Sequence, residues 1–189
     1  MSKKIGTRNL TQIALIAAIY AAITLLTFYM SFGQIQYRIS EILTILPLFT
    51  LNAVPGLTIG CFLANIIGFF IGVNPTGILD CVFGTCATFI AAIITYYIGK
   101  SSKKWVKVSF GPFPAVIINA IIVGWEICRF FIGEVTLELF LINAGLVGLG
   151  QLVVCYLMGI PLMLVLYKNN LYQKIFYRKS RLNQNIIEE

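Results

Sequence analysis

Seven ionisable residues stand out because they fall at the edges of long apolar runs. They are Arg38, Glu41, Asp80, Glu126, Arg129, Glu134 and Glu138: five acids and two bases. Gln34, Gln36, Asn74 and Asn143 add neutral polar groups nearby, and Tyr37, Phe83 and Trp125 add aromatic rings. Carboxylates of this kind accept N–H donors in bidentate fashion, a guanidinium donates to a carbonyl or an anion, and aromatic faces stack on a planar ring. Together they describe a binding site for a small, nitrogen-rich, planar molecule. An ionisable group at membrane depth is a functional candidate by default, because it is costly there.

Each member has a plainer reading. Arg38 and Glu41 are spaced i, i+3, as are Glu126 and Arg129, so each couple can pair on one helix face. Glu134 and Glu138 read as solvated loop acids. Asp80 falls in a first helical turn, where an aspartate is often a cap. Tyr and Trp gather at membrane interfaces without any ligand. The convergence of Arg38, Glu41, Asp80 and Glu126 favours function.

The elements that must position these groups follow from the charge-free stretches. Residues 9–37, 42–79, 81–99, 108–125 and 139–167 carry no charge. With 59% hydrophobic and 11% charged residues, the chain falls far below the roughly 25% charge of a soluble domain. The 189 residues suit one membrane domain, and six spans of about 20 residues fit. The expected fold is all-α, a polytopic membrane protein with transmembrane helices near 10–29, 36–51, 54–71, 78–98, 112–131 and 137–167, and a basic cytoplasmic tail at 168–189. Helix 2 is the awkward one. Residues 42–51 reach only about 15 Å as an α-helix, so a span must start further back and carry Arg38 and Glu41 to membrane depth, with Pro47 as a kink. The first helix resembles a signal peptide but runs too long, so it is read as uncleaved. The last is long enough to tilt, or to bend near Gly159 and Pro161.

Orientation follows from the bases. Of 14 lysines and arginines, all but Arg38 and Arg129 fall before residue 9, between 99 and 108, or after 167. Both termini are therefore expected in the cytoplasm. The net charge of +7 belongs to these loops and the anionic lipid they face, not to nucleic acid.

On the first helix, Ala14, Ala18 and Ala22 recur every fourth residue, as do Ala17 and Ala21. Small residues at this spacing let another helix approach closely, within the bundle or from a separate subunit. There is no histidine, the five cysteines have no metal-ligand spacing, and nucleotide-loop and hydrolase motifs are absent. No metal, cofactor or enzymatic activity is expected.

Four stretches carry a family resemblance: IQYRISEILTILPLF (35–49), AVPGLTIGCFLANIIG (53–68), DCVFGTCAT (80–88) and PAVIINAIIVGWE (114–126). They resemble the QueT family, whose members look like substrate-binding S components of energy-coupling factor (ECF) transporters. That resemblance implies a six-helix membrane protein binding a micronutrient near its extracellular face. It also implies a transmembrane T subunit docking on the Ala14, Ala18 and Ala22 surface, two cytosolic ATPase subunits, and toppling of the S component to deliver its substrate. The implied substrate is a queuosine precursor, a 7-deazaguanine such as queuine or its aminomethyl precursor. The expected binding set is Gln36, Tyr37, Arg38, Glu41, Asp80, Phe83, Trp125, Glu126 and Asn143, with Asp80 and Glu126 reading the base edge. Three alternatives remain: another cationic micronutrient such as thiamine, an intramembrane enzyme, and a membrane adaptor without a ligand.

Overall fold

The structure is a computed structural model, and it describes residues 6–32, 36–74 and 77–176. Gln34, Lys3, Lys4 and the tail beyond residue 176 lie outside the described residues. The described residues form helices and connecting turns. These are α1 (Thr7–Leu26), α2 (Phe28–Ser31), a 3-10 helix (Ile39–Leu48), α3 (Ala53–Phe70), α4 (Ile78–Gly99), α5 (Lys104–Phe110) and α6 (Phe113–Glu126) with a π-helical turn (Ile127–Ile132). Then come α7 (Leu137–Leu152), a second π-helical turn (Val153–Met158), α8 (Gly159–Tyr167), a short 3-10 turn (Lys168–Asn170) and α9 (Leu171–Phe176).

Five stretches are long and apolar enough to cross a bilayer: Thr7–Leu26, Ala53–Phe70, Ile78–Gly99, Lys104–Ile132 and Leu137–Tyr167. Large apolar side chains such as Leu15, Phe62, Ile90, Ile121 and Leu157 stand on their outer surfaces, as lipid contact demands. The segment expected as a helix over 36–51 differs. Residues 36–38 have no regular secondary structure, with Arg38 extended, and a ten-residue 3-10 helix follows. Two local causes act against an α-helix. Pro47 lies inside and cannot donate a backbone bond. The Thr44 hydroxyl donates to the Glu41 carbonyl at 2.6 Å and competes for that acceptor.

The tighter winding rises about 2 Å per residue, so these ten residues reach about 20 Å rather than 15. The segment runs beside almost the whole of α4. Arg38 meets Asp80 at the start of α4, and Leu48 lies against Gly99 at its end. It is enclosed by protein: Glu41, Thr44, Ile45, Pro47 and Leu48 are all buried. Irregular backbone survives at such depth only where protein covers it.

Small residues set the closest helix contacts. A Cβ on Gly60 would lie 2.8 Å from the Ala17 carbonyl oxygen and from Tyr20 Cβ, so α1 and α3 touch backbone to backbone. Gly124 lies equally close to Ala144, joining α6 to α7. In lipid, where apolar burial drives little, such close packing holds helices together. The two alanine series of α1 therefore separate. Ala17 and Ala21 are buried, whereas Ala14, Ala18 and Ala22 are exposed.

One end of the bundle gathers both described ends of the chain. Arg8 and Gln12 donate to the Ile175 carbonyl at 3.3 and 3.2 Å, Asn52 donates to Gln12 at 2.6 Å, and Phe49 packs on Tyr167 and Tyr172. The part of the expected tail up to residue 176 is thus helical and docked. The expected 100–107 loop is shorter too, because α5 begins at Lys104.

Candidate binding site at the opposite end of the bundle

The other end holds the ionisable residues, and the fold explains how they arrive there. Arg38 closes the lead-in to the 3-10 helix, and Glu41 sits in its first turn. Asp80 lies in the first turn of α4 and Glu126 is the last residue of α6. All four are buried, with Glu41, Asp80 and Glu126 fully so.

The helix-face pairings offered by sequence spacing do not form. Arg38 Nη2 donates instead to Asp80 Oδ2 at 2.9 Å, across 42 residues. Glu41 Oε1 accepts from the Tyr20 hydroxyl on α1. Arg129 is exposed and lies over the Phe130 ring at 5.8 Å, leaving Glu126 without it. The π-helical turn at Ile127–Ile132 is the cause, since the wider winding changes which way Arg129 faces. Asp80 is not a cap: Gly77 holds the cap position, and its φ of 64° suits glycine. The Asp80 carbonyl accepts from Asn65 Nδ2 at 2.8 Å, which anchors α4 to α3.

Sequence reasoning missed several members of this site. Tyr20, Cys61, Asn65 and Thr88 are all fully buried. Cys61 Sγ lies 3.6 Å from Arg38 Nη1, 3.5 Å from Asn65 Nδ2 and 3.3 Å from the Thr88 hydroxyl. The available signal was a tyrosine and an asparagine in the middle of apolar helices, where polar groups need partners. Gly84 is a further member. A Cβ there would strike Asp80 Oδ1, so glycine leaves the carboxylate its place.

The site is rich in acceptors that no protein group meets. Glu41 Oε2, Asp80 Oδ1, Asn65 Oδ1 and both Glu126 oxygens are buried without a hydrogen-bond partner, as is the donor Arg38 Nε. Glu126 is tied to this group through its neighbour Trp125, which packs on Phe83 of α4. A folded protein normally satisfies such groups, so their concentration here calls for a ligand or ordered water.

Aromatic rings flank the acids. Phe83, one turn past Asp80, packs on Trp125 at 5.6 Å and on Phe130 at 5.7 Å. Phe32, also buried, lies under the Arg38 guanidinium at 5.5 Å. Gln36 is buried and Tyr37 half-buried beside Arg38. The Asn143 amide is committed to Cys128 Sγ and to the Leu139 carbonyl, which ties α7 to the π-helical turn. Glu134 and Glu138 are exposed, as loop acids should be. Among the described residues, no group of three metal-ligating side chains gathers.

The family model described as QueT transporter matches residues 10–168. The chain is 33% identical over 84 residues to a protein of Lactococcus lactis subsp. cremoris (strain MG1363) described as queuosine precursor transporter QueT. That alignment covers 43% of this chain and 50% of the relative, so it spans only half the relative's length. No solved structure matches.

Proposed function

This chain belongs to the QueT transporter family, and from that premise we propose that it is the substrate-binding membrane subunit of an ECF-type importer. Its substrate is a queuosine precursor, a 7-deazaguanine such as queuine or its aminomethyl precursor. The observation that carries the reading is the cluster of buried, partnerless acceptors around one guanidinium. A guanine-type ring presents N1–H and an exocyclic amine, which suit the open oxygens of Glu41 and Asp80. Its carbonyl suits the open Nε–H of Arg38. The Phe83, Trp125 and Phe130 rings offer a stacking wall, with Gln36 and Tyr37 lining the approach.

The proposed topology has six crossings with both termini cytoplasmic, in a multi-pass protein of the bacterial cytoplasmic membrane. The 3-10 segment is the sixth crossing, made inside the protein rather than against lipid. Its passage from Asp80 to Gly99 along α4 supports this. Among the described residues, Arg8 meets Ile175 and Lys104 lies over Tyr167 at one end, which supports a cytoplasmic position for that end. The acceptor-rich end then faces outward.

ATP hydrolysis is assigned to two cytosolic ATPase subunits coupled through a transmembrane T subunit. The exposed Ala14, Ala18 and Ala22 on α1 are the proposed docking face, because a neighbouring helix can approach such a stripe closely.

Mass spectrometry of ligand released from detergent-purified protein tests the substrate, and calorimetry on variants tests the site. Asp80→Asn and Glu41→Gln should each weaken binding about tenfold to hundredfold, the loss of a hydrogen bond to a charged group. Glu134→Gln, at an exposed acid, should not. A released ligand of another class, or unchanged affinity in both site variants, defeats the reading.

A further inference from the structure

We propose that Glu126 supplies the counter-charge for a cation on the ligand, and is thereby the residue that separates a charged aminomethyl ligand from a neutral one with the same ring. This rests on the deazaguanine reading above and assigns a specificity to one side chain within it.

The three buried carboxylates are not equivalent. Asp80 has a guanidinium at 2.9 Å and accepts from Asn74 as well. Glu41 holds the Tyr20 hydroxyl on one oxygen. Glu126 has neither oxygen bonded, yet is fully buried. The site holds three acids and one base, and that base is already paired with Asp80. The nearest other base in the chain, Arg129, is exposed and turned onto Phe130. Gly124, two residues earlier, packs closely on Ala144, which ties this end of α6 to α7.

A neutral N–H donor would satisfy one Glu126 oxygen and leave its charge uncompensated at low dielectric. An ammonium meets both demands. The surroundings also favour a cation. Trp125 immediately precedes Glu126 and packs with Phe83 and Phe130, and aromatic faces attract positive charge. A ring stacked on that wall, with its N–H edge toward Glu41 and Asp80, can direct a charged arm to Glu126. The sequence expectation gave Glu126 to the base edge together with Asp80. Its lack of any partner gives it the arm instead.

The test compares 7-aminomethyl-7-deazaguanine, a cation, with 7-cyano-7-deazaguanine, which is neutral and has the same ring. Calorimetry is run on wild type, Glu126→Gln, Glu126→Asp and Glu41→Gln in detergent. Wild type should prefer the amine at least about tenfold. Glu126→Gln should lose that preference, weakening the amine at least about tenfold more than the nitrile. Glu126→Asp should retain it, and Glu41→Gln should weaken both ligands alike. Equal binding of the two ligands by wild type overturns the assignment without touching the substrate reading. So does a Glu126→Gln variant that is unchanged or weakened equally for both. Failure of wild type to bind either ring overturns the substrate reading itself, and the assignment with it. The wild-type comparison needs no substitution, so a variant that fails to fold leaves the proposal exposed.

Discussion

The hydroxyl of Tyr20 donates to Glu41 Oε1 at 2.5 Å, joining the first helix to the 3-10 segment deep in the bundle. Four residues along α1, Thr24 repeats the contact with Ser40 at 2.6 Å. One face of α1 thus grips the binding site, while Ala14, Ala18 and Ala22 stand on its open face. Glu41 is held by α1 rather than by Arg38, which leaves the guanidinium for Asp80.

Tyr20→Phe removes one hydrogen bond from a buried carboxylate and leaves Glu41 with both oxygens unpartnered. The expected stability loss is about 1.5–3 kcal/mol. Thermal melting in detergent measures it, and an unchanged midpoint would show that the bond contributes nothing.

Arg38 and Asp80 form the one salt bridge among the described residues. Arg38→Met or Asp80→Leu alone should destabilise by about 3–5 kcal/mol, since each leaves a buried charge unpaired. The double variant should cost clearly less than the sum. Additive losses in a denaturation series would mean that the two side chains act independently.

Gly84→Ala is aimed at the site without altering any polar group. The new methyl would displace the Asp80 carboxylate. Ligand affinity should fall at least about tenfold, and the melting point should fall as well, because the displaced carboxylate also holds Arg38. Gly145→Ala is the control, because a Cβ there meets nothing within 4 Å.

The two faces of α1 should respond in opposite ways. Gly60→Val drives a side chain into the α1 backbone and should destabilise the fold by about 1–3 kcal/mol or more. Ala18→Trp, on the open face, should leave folding and ligand binding intact but abolish uptake. An Ala18→Trp protein that transports normally in cells would remove this face from the docking surface.

Topology can be read by thiol labelling in a background lacking the native cysteines. Ser101→Cys should react only from the cytoplasmic side and Glu134→Cys only from outside. Labelling of both from the same side contradicts six crossings.

The sequence alone determined the class of protein and which of its ionisable residues were candidates for burial. Charge-free runs long enough to cross a bilayer force an all-helical membrane fold, because an unpaired backbone is unaffordable in lipid. Charges inside such runs must turn inward, so Arg38, Glu41, Asp80 and Glu126 were legible as buried candidates before any coordinates. Small residues at four-residue spacing marked α1 as a packing helix.

Which charge meets which was decided by tertiary structure. Spacing along one helix offered Arg38 to Glu41 and Arg129 to Glu126. Arg38 lies in extended backbone just before the 3-10 helix rather than on its face, and the π-helical turn carries Arg129 away from Glu126; Pro47 marks the first segment as irregular without fixing which way Arg38 points. Arg38 found Asp80 across 42 residues, and Glu41 found Tyr20 across 21. Ala17 and Ala21 cannot be told from Ala14, Ala18 and Ala22 by type. Helix packing, including the approach of Gly60 to Ala17, buries the first pair and leaves the second series open. Composition and periodicity report how each element meets its solvent, because transfer free energy depends on the side chain and its surroundings. Partner choice depends on distance between elements far apart in the chain, and that is set when the helices pack.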